Sequence, residues 1–218
     1  IKETLYNSMP IYKRITVDKD TTAIIWKIEE SLESLEEGVE LTEYCRERYD
    51  GMKSQIHKKG FMSIRHLLKE FGYSDFDLDY DTKGKPHLND GHEISITHSF
   101  EFTAVIVSTK KVGIDIEKQR DKIKLIAPKF TPIEEYEALG DTEDLIRKLT
   151  IVWGAKESLY KLYGKKGLLF LHDIFVNDFE ISSQKTTARV TSNNEITFYN
   201  LTFFEFENFT CVYAIAND

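Results

Sequence analysis

Asp115 and Glu117 lie two apart in the stretch Val112-Gly113-Ile114-Asp115-Ile116-Glu117, which is apolar at alternate positions. That alternation predicts a strand, and in a strand residues two apart share a face. Two carboxylates side by side repel, and a hard divalent cation such as Mg2+ would relieve the repulsion. On spacing alone the pair reads first as two solvated acids on a charged strand face, which is ordinary chemistry for a sheet edge.

Farther along, Trp153-Gly154-Ala155-Lys156-Glu157-Ser158-Leu159-Tyr160-Lys161 lies in a stretch predicted helical from Asp144 to about Tyr163. Trp153, Glu157 and Lys161 are four apart and fall on one stripe. A Glu and a Lys at that spacing ordinarily make a weak surface pair, worth about 0.3–0.5 kcal/mol. The large aromatic side chain on the same stripe predicts partial burial instead. Gly164-Lys165-Lys166-Gly167 ends the helix and lacks the spacing of a phosphate-cradling loop.

Upstream, Asp81-Thr82-Lys83-Gly84-Lys85-Pro86-His87 reads as a turn-rich loop. Lys85 is held extended by Pro86, which lets it reach an anion; a plain loop lysine has the same signature. The strand Glu93 to Ser99 ends at Thr97-His98-Ser99. There His98 is either a turn histidine satisfied by its neighbours or a donor to phosphate oxygen, with hydroxyls on both sides. In Phe130-Thr131-Pro132-Ile133-Glu134, Thr131 is placed to cap a helix, Pro132 to open it and Glu134 to close a capping box.

The rest of the chain must position these groups. Residues 11 to 28 read as two strands, and Ser31 to Tyr49 as helical and acidic. Residues 52 to 72 read as a helix burying Ile56, Phe61, Ile64, Leu67, Leu68 and Phe71, with Lys58, Lys59, Arg65 and Lys69 on its polar side and Gly72 closing it. Phe102 to Val107 is a return strand. The C-terminal part is strand-rich: 174–176, 188–190, 196–199, 201–204 and 211–215. Phe102-Thr103-Ala104-Val105 is echoed by Phe209-Thr210-Cys211-Val212, about half a chain later, as a duplication would produce. No Pro-, Gly- or Ser-rich linker separates the halves, so two halves would be packed together.

The chain has 218 residues, 41% hydrophobic and 30% charged, as in a globular protein with a real core. A net charge of −8 disfavours bulk nucleic-acid binding. No apolar run is long enough to span a bilayer, and Ile1-Lys2-Glu3 does not begin a signal peptide. Two cysteines, Cys45 and Cys211, give no disulfide framework, which suits the cytoplasm. A basic run from Lys118 to Lys129 stands out on this acidic chain and could receive an acidic partner.

Taken together, Gly113-Ile114-Asp115-Ile116-Glu117 and Trp153-Gly154-Ala155-Lys156-Glu157-Ser158-Leu159-Tyr160-Lys161, preceded in order by Gly84-Lys85-Pro86 and Ile96-Thr97-His98-Ser99, resemble the motifs of the 4'-phosphopantetheinyl transferase superfamily. The length resembles its long, surfactin-type branch. The resemblance implies an α+β fold of two similar halves, 1–108 and 109–218, related by a pseudo-twofold axis with a ligand cleft between them. It implies transfer of the phosphopantetheine arm of coenzyme A to a serine of an apo acyl or peptidyl carrier protein, releasing 3',5'-ADP, in a cytoplasmic monomer.

It also implies a Mg2+ site, with Mn2+ an alternative, at Asp115, Glu117 and Glu157. Glu157 and Lys161 would be catalytic: Glu157 as base toward the serine, directly or through a bound water, and Lys161 at the leaving group. Coenzyme A would be held by Arg65, Lys85, Thr97, His98 and Lys161, and Glu134 matches an acid near the metal in some members. A Mg2+-dependent phosphohydrolase and a non-catalytic carrier-binding module are the competing expectations.

Overall fold

A computed structural model describes residues 11–140, 144–164 and 167–216; Lys165 and Lys166, in the predicted helix stop, lie outside them. The elements run β1 (Ile11–Asp18), β2 (Thr21–Lys27), α1 (Leu32–Glu36), α2 (Glu43–Asp50), α3 (Gln55–Glu70), β3 (Leu78–Tyr80), β4 (Pro86–Leu88), β5 (Glu93–Ser99), β6 (Phe102–Ser108), β7 (Val112–Lys118), α4 (Lys122–Ile126), α5 (Ile133–Leu139), α6 (Leu145–Tyr163), α7 (Phe170–Asp173), β8 (Ile174–Val176), β9 (Lys185–Ser192), β10 (Glu195–Phe206) and β11 (Phe209–Ile215). The architecture is mixed helix and sheet. An antiparallel sheet ordered β1-β2-β6-β5 and another ordered β7-β11-β10-β9-β8 carry the core, and β3 pairs with β4 in a small hairpin.

Alternation decides the layering. On β2 and β6, Ile24, Trp26, Val105 and Val107 face α3 with Leu67 and Leu68. Ala23, Ile25, Phe102, Ala104 and Ile106 face the other way, onto Ile114, Ile116, Phe209 and Cys211 of the second sheet. The opposite face of the second sheet, Val212, Ala214, Leu201 and Phe203, packs on Leu149, Val152, Ala155 and Leu159 of α6. The sheets therefore bury apolar area against each other as well as against a helix each, at roughly 25 cal/mol per Å² removed from water.

The strand order β2-β6-β5, with α3 following β2, has the same connectivity as β7-β11-β10, with α6 following β7. The echoing tetrapeptides open the corresponding strands β6 and β11.

Several expectations need correction. The acidic stretch after Ser31 is two short helices, each opened by a hydroxyl cap: Ser31 takes the Ser34 amide and Thr42 the Cys45 amide. Ile56 is 51% exposed, outside the buried face of α3. Residues 196–204 form one strand, because Asn200, read as a break, pairs with Thr187 in the β9 ladder. Thr131 does not cap α5. The N-cap is Pro132, and the Thr131 hydroxyl is buried without a partner among the described residues. Glu134 closes no capping box and is exposed.

Its neighbour Glu135 is the buried acid. Glu135 Oε2 takes Lys156 Nζ at 2.8 Å while its other oxygen takes the Val176 amide. Lys156, 0% exposed, also donates to the carbonyls of Phe130 and Phe170. A lysine so deep is held by its partners, since an unpaired ammonium would carry a desolvation cost of several kcal/mol.

Candidate active site

The centre of the site is the crossing of β7 and α6. Gly113 permits that crossing: a Cβ there would lie 1.8 Å from the Ser158 carbonyl oxygen. Backbone therefore meets backbone, and the outward face of β7, with Asp115 and Glu117, lies against the stripe of α6 carrying Trp153, Glu157 and Lys161. Lys161 Nζ donates to Asp115 Oδ1 at 2.7 Å and to the Ile114 carbonyl at 2.9 Å. Trp153 Nε1 donates to Glu117 Oε1 at 3.3 Å, with its ring edge-on to Phe130 and tilted against Phe170. Thr97, from β5, donates to Asp115 Oδ1 at 3.2 Å.

The electrostatics follow from crowding acids in a dry place. Burial raises the Asp115 carboxyl above its usual range against the pull of Lys161 and Thr97. Burial and then the Asp115 charge push Glu117 up to about 7. Burial, then Asp115 with a smaller contribution from Glu117, does the same to Glu157, also to about 7. These are the shifts expected of neighbouring carboxylates short of a counter-charge.

Two further observations bear on a cation. Asp115 Oδ2 is buried with no hydrogen-bond partner among the described residues. As the side chains stand, no three carboxylate, histidine or cysteine groups among the described residues are gathered closely enough to hold a metal ion. The donor set nonetheless fits a hard divalent ion: oxygen ligands only, excess negative charge and one idle buried oxygen.

The lysines meet at a cleft of about 240 Å³ between the β3–β4 hairpin, β5 and the end of α6, lined by Lys85, Pro86, Ser95, Tyr160, Lys161 and Gly164 among others. Lys85 reaches the C-terminal end of α6: a Cβ on Gly164 would lie 2.9 Å from Lys85 Nζ.

The remaining predicted ligands have other partners. Arg65, expected to hold phosphate, is engaged by protein partners on the inner side of α3. It is 2% exposed, ion-paired with Asp75 at 2.8 Å, bonded to Cys45 Sγ and the Phe61 carbonyl, and stacked 3.4 Å over the Phe61 ring. The Thr97 hydroxyl is also committed, accepting the Ile116 amide while donating to Asp115. His98 is half-buried against Gly60, donates from Nε2 to the Phe100 carbonyl and meets His57 edge-on at 6.2 Å between ring centres. Burial lowers its affinity for a proton. Glu134 lies away from the acids, in a hollow with His172 and Arg189.

Residues 111–214 match the 4'-phosphopantetheinyl transferase superfamily. The matched segment is a little under half of the chain. It runs from the start of β7 into β11 and holds Asp115, Glu117, Glu157 and Lys161, whereas Lys85, Thr97 and His98 lie outside it. Comparison with curated proteins finds no match. The superfamily match points to phosphopantetheine transfer as the general reaction, and so to a transferase. No helix among the described residues is long and apolar enough to cross a membrane.

A pH dependence follows. At pH 6, Glu117 and Glu157, raised to about 7, hold protons that a cation must displace. Above pH 7 they are ionised, and a cation placed between them would meet no such competition. The Mg2+ midpoint for thermal stabilisation is expected to tighten from pH 6 to pH 8, by up to about tenfold per pH unit for each proton released. For the metal-free chain the sign reverses. These raised carboxyls contribute stability that is fully present below the usual carboxylate range and lost as pH rises through about 7. The benefit from Mg2+ is thus largest at the alkaline end. A midpoint flat across that range, read by thermal shift at each pH, would contradict the assignment.

Proposed function

We propose that this protein transfers the 4'-phosphopantetheine arm of coenzyme A to a serine hydroxyl of an apo acyl or peptidyl carrier protein, releasing 3',5'-ADP. The carrying observation is the convergence of Asp115, Glu117, Glu157 and Lys161 at one crossing of strand and helix, inside the segment that matches the superfamily. In this reading the chain is two halves, 1–108 and 109–218, related by a pseudo-twofold axis. The shared strand-helix connectivity supports that, and the cleft lies between them. It works as a monomer in the cytoplasm, in the long, surfactin-type manner.

Asp115, through its idle Oδ2, Glu117 and Glu157 would hold Mg2+ or, in its place, Mn2+. The ion would neutralise diphosphate oxygens and the charge that develops on them. Glu157, with a proton affinity near neutrality, accepts the serine proton, through a water when its own oxygens are engaged. The freed serine oxygen bonds to the phosphorus carrying the pantetheine, and the bond from that phosphorus to the bridging oxygen breaks, leaving the electron pair on 3',5'-ADP. Lys161 sits at the rim of the cleft and offsets the charge of the leaving group. Lys85 faces the same cleft and neutralises phosphate there. His98 would take phosphate only by turning its Nε2 hydrogen away from the Phe100 carbonyl. The work is alignment and charge neutralisation, which is what phosphoryl transfer demands.

Intact mass of an apo carrier incubated with coenzyme A and Mg2+ tests the proposal. A gain of the phosphopantetheine arm is expected. Coenzyme A breakdown with unmodified carrier would replace transfer by hydrolysis.

The carrier's acidic surface would dock beside Glu117, where Lys118, Arg120 and Lys122 line a hollow with Trp153 and Leu125 stands 79% exposed. Reversing the charge at Arg120 and Lys124 together is expected to raise the KM for carrier about tenfold at low salt, with the effect shrinking as salt screens it. The KM for coenzyme A should stay put. Unchanged carrier affinity at low salt would remove this surface from the reading.

A further inference from the structure

Thr97 and Ser99 sit on β5, at the edge of the first sheet, and the acids sit on β7, at the edge of the second. The two strands belong to different sheets and share no backbone ladder. Side-chain hydroxyls at alternate positions of β5 join them instead. The amide of Ile114 donates to Ser95 Oγ at 3.1 Å and the amide of Ile116 to Thr97 Oγ1 at 3.1 Å. Both hydroxyls are buried, Ser95 2% and Thr97 5% exposed, so they satisfy edge amides that water cannot reach.

We propose that Thr97 and Ser99 are positioning residues for the cation ligands, so that the N-terminal half of the chain sets the geometry of a site whose ligands all lie in the C-terminal half. This rests on reading Asp115, Glu117 and Glu157 as those ligands. Thr97 Oγ1 already accepts the Ile116 amide, so its hydrogen is free to point onward, and it goes to Asp115 Oδ1. Lys161 Nζ comes to the same oxygen from α6. Two donors from opposite sides fix Oδ1, and Oδ2 is the oxygen left without a partner. Glu117 is treated likewise: Ser99 Oγ approaches Oε2 at 3.5 Å from β5, and Trp153 Nε1 holds Oε1 from α6. Each strand acid thus has one side-chain donor from β5 and one from α6. The hydroxyls act on the carboxylates, and nothing in their bonding leaves Thr97 free to take phosphate.

Partners of metal-binding side chains ordinarily change metal affinity or activity by about 10–100-fold when removed. The experiment uses the full chain with Thr97→Val, Thr97→Ser and Ser99→Ala. Each is titrated with Mg2+ by thermal shift and with Mn2+ by electron paramagnetic resonance, and then assayed for kcat and for the KM of coenzyme A. Thr97→Val is expected to weaken the cation midpoint about tenfold or more and to lower kcat, with the coenzyme A KM moving less than about twofold. Thr97→Ser, which keeps the hydroxyl, should return the midpoint to within about threefold of the parent.

A purely structural role for Thr97 would lower the melting temperature and leave the cation midpoint where it was, and that result overturns the proposal. Should Thr97→Val fail to fold, Ser99→Ala decides. A weakened midpoint supports the proposal; a parent-like one overturns it. A parent chain that gives no response to either cation defeats the underlying metal reading instead, and the two failures are told apart by that first titration.

Discussion

Asp115→Asn is expected to lower transfer by about a thousandfold or more while leaving the metal-free fold as stable as the parent, or more so. The first half follows from charge. A metal acting on a diphosphate supplies several kcal/mol of stabilisation, each 1.36 kcal/mol is tenfold in rate, and Asp115 is the acid with an idle buried oxygen to offer. Asparagine keeps the shape and still accepts from Thr97 and Lys161, but it presents a neutral group to the cation.

The second half follows from the cost of keeping that carboxylate ionised in a buried position, which its raised proton affinity reports. Removing the charge relieves Glu117 and Glu157 of a repulsion each now feels. Lys161 keeps its bond to the Ile114 carbonyl and stays partly in water, its side chain 27% exposed. The checks are turnover by carrier mass shift and melting temperature with and without Mg2+. The Mg2+-dependent rise should vanish in the variant. Retention of a tenth of the parent rate would move the metal away from Asp115.

Much of this arrangement is legible in the sequence, and the illegible parts share a cause. The bounds of strands β5, β6 and β7 follow the sequence almost to the residue, because short apolar, β-branched runs between turn residues are a local signal, although β6 is buried on both faces. Lys161 and Glu157 are placed on the right side of α6 by their spacing from Trp153. Which acid takes which donor is another matter, since those bonds join residues 18 and 46 positions apart. Arg65 shows a signal overlooked: it lies four after Phe61 and three before Leu68, on the apolar face of α3. Its charge suggested the polar side, and Asp75, ten residues on, closes the pair that lets it stay buried. Glu134 and Glu135 differ by one helical step of about 100°, enough to send one to solvent and the other to Lys156. The hydroxyls of Ser95, Thr97 and Ser99 read as a polar strand face. Only the approach of β7 turns that face into a row of partners.

Gly113→Ala is expected to be strongly destabilising. Its Cβ would lie 1.8 Å from the Ser158 carbonyl oxygen and 3.1 Å from the Leu162 amide nitrogen. Both are helix backbone, so no side-chain rotation makes room. Overpacking ordinarily costs about 1–3 kcal/mol. A clash with backbone forces β7 and α6 apart as bodies, so about 3 kcal/mol is the lower end here. For a chain of this size that is a fall of about 6–12 °C in melting temperature.

Gly154→Ala is the matched control within the same crossing. Its Cβ meets Val212 Cγ2 at 2.7 Å, a side chain and not backbone; the buried, β-branched Val212 must give way at some cost, which alanine offsets with up to about 1 kcal/mol of helix propensity. The control should therefore stay within about 3 °C of the parent. The functional consequence of Gly113→Ala is separate from stability. Spreading the crossing lengthens the reach from Lys161 to Asp115, now 2.7 Å, and carries Glu157 away from the strand acids, so transfer should fail even at temperatures where the variant is folded. Equal melting temperatures for the two alanine variants would mean that β7 and α6 are not in backbone contact, and the site built on their crossing would have to be redrawn.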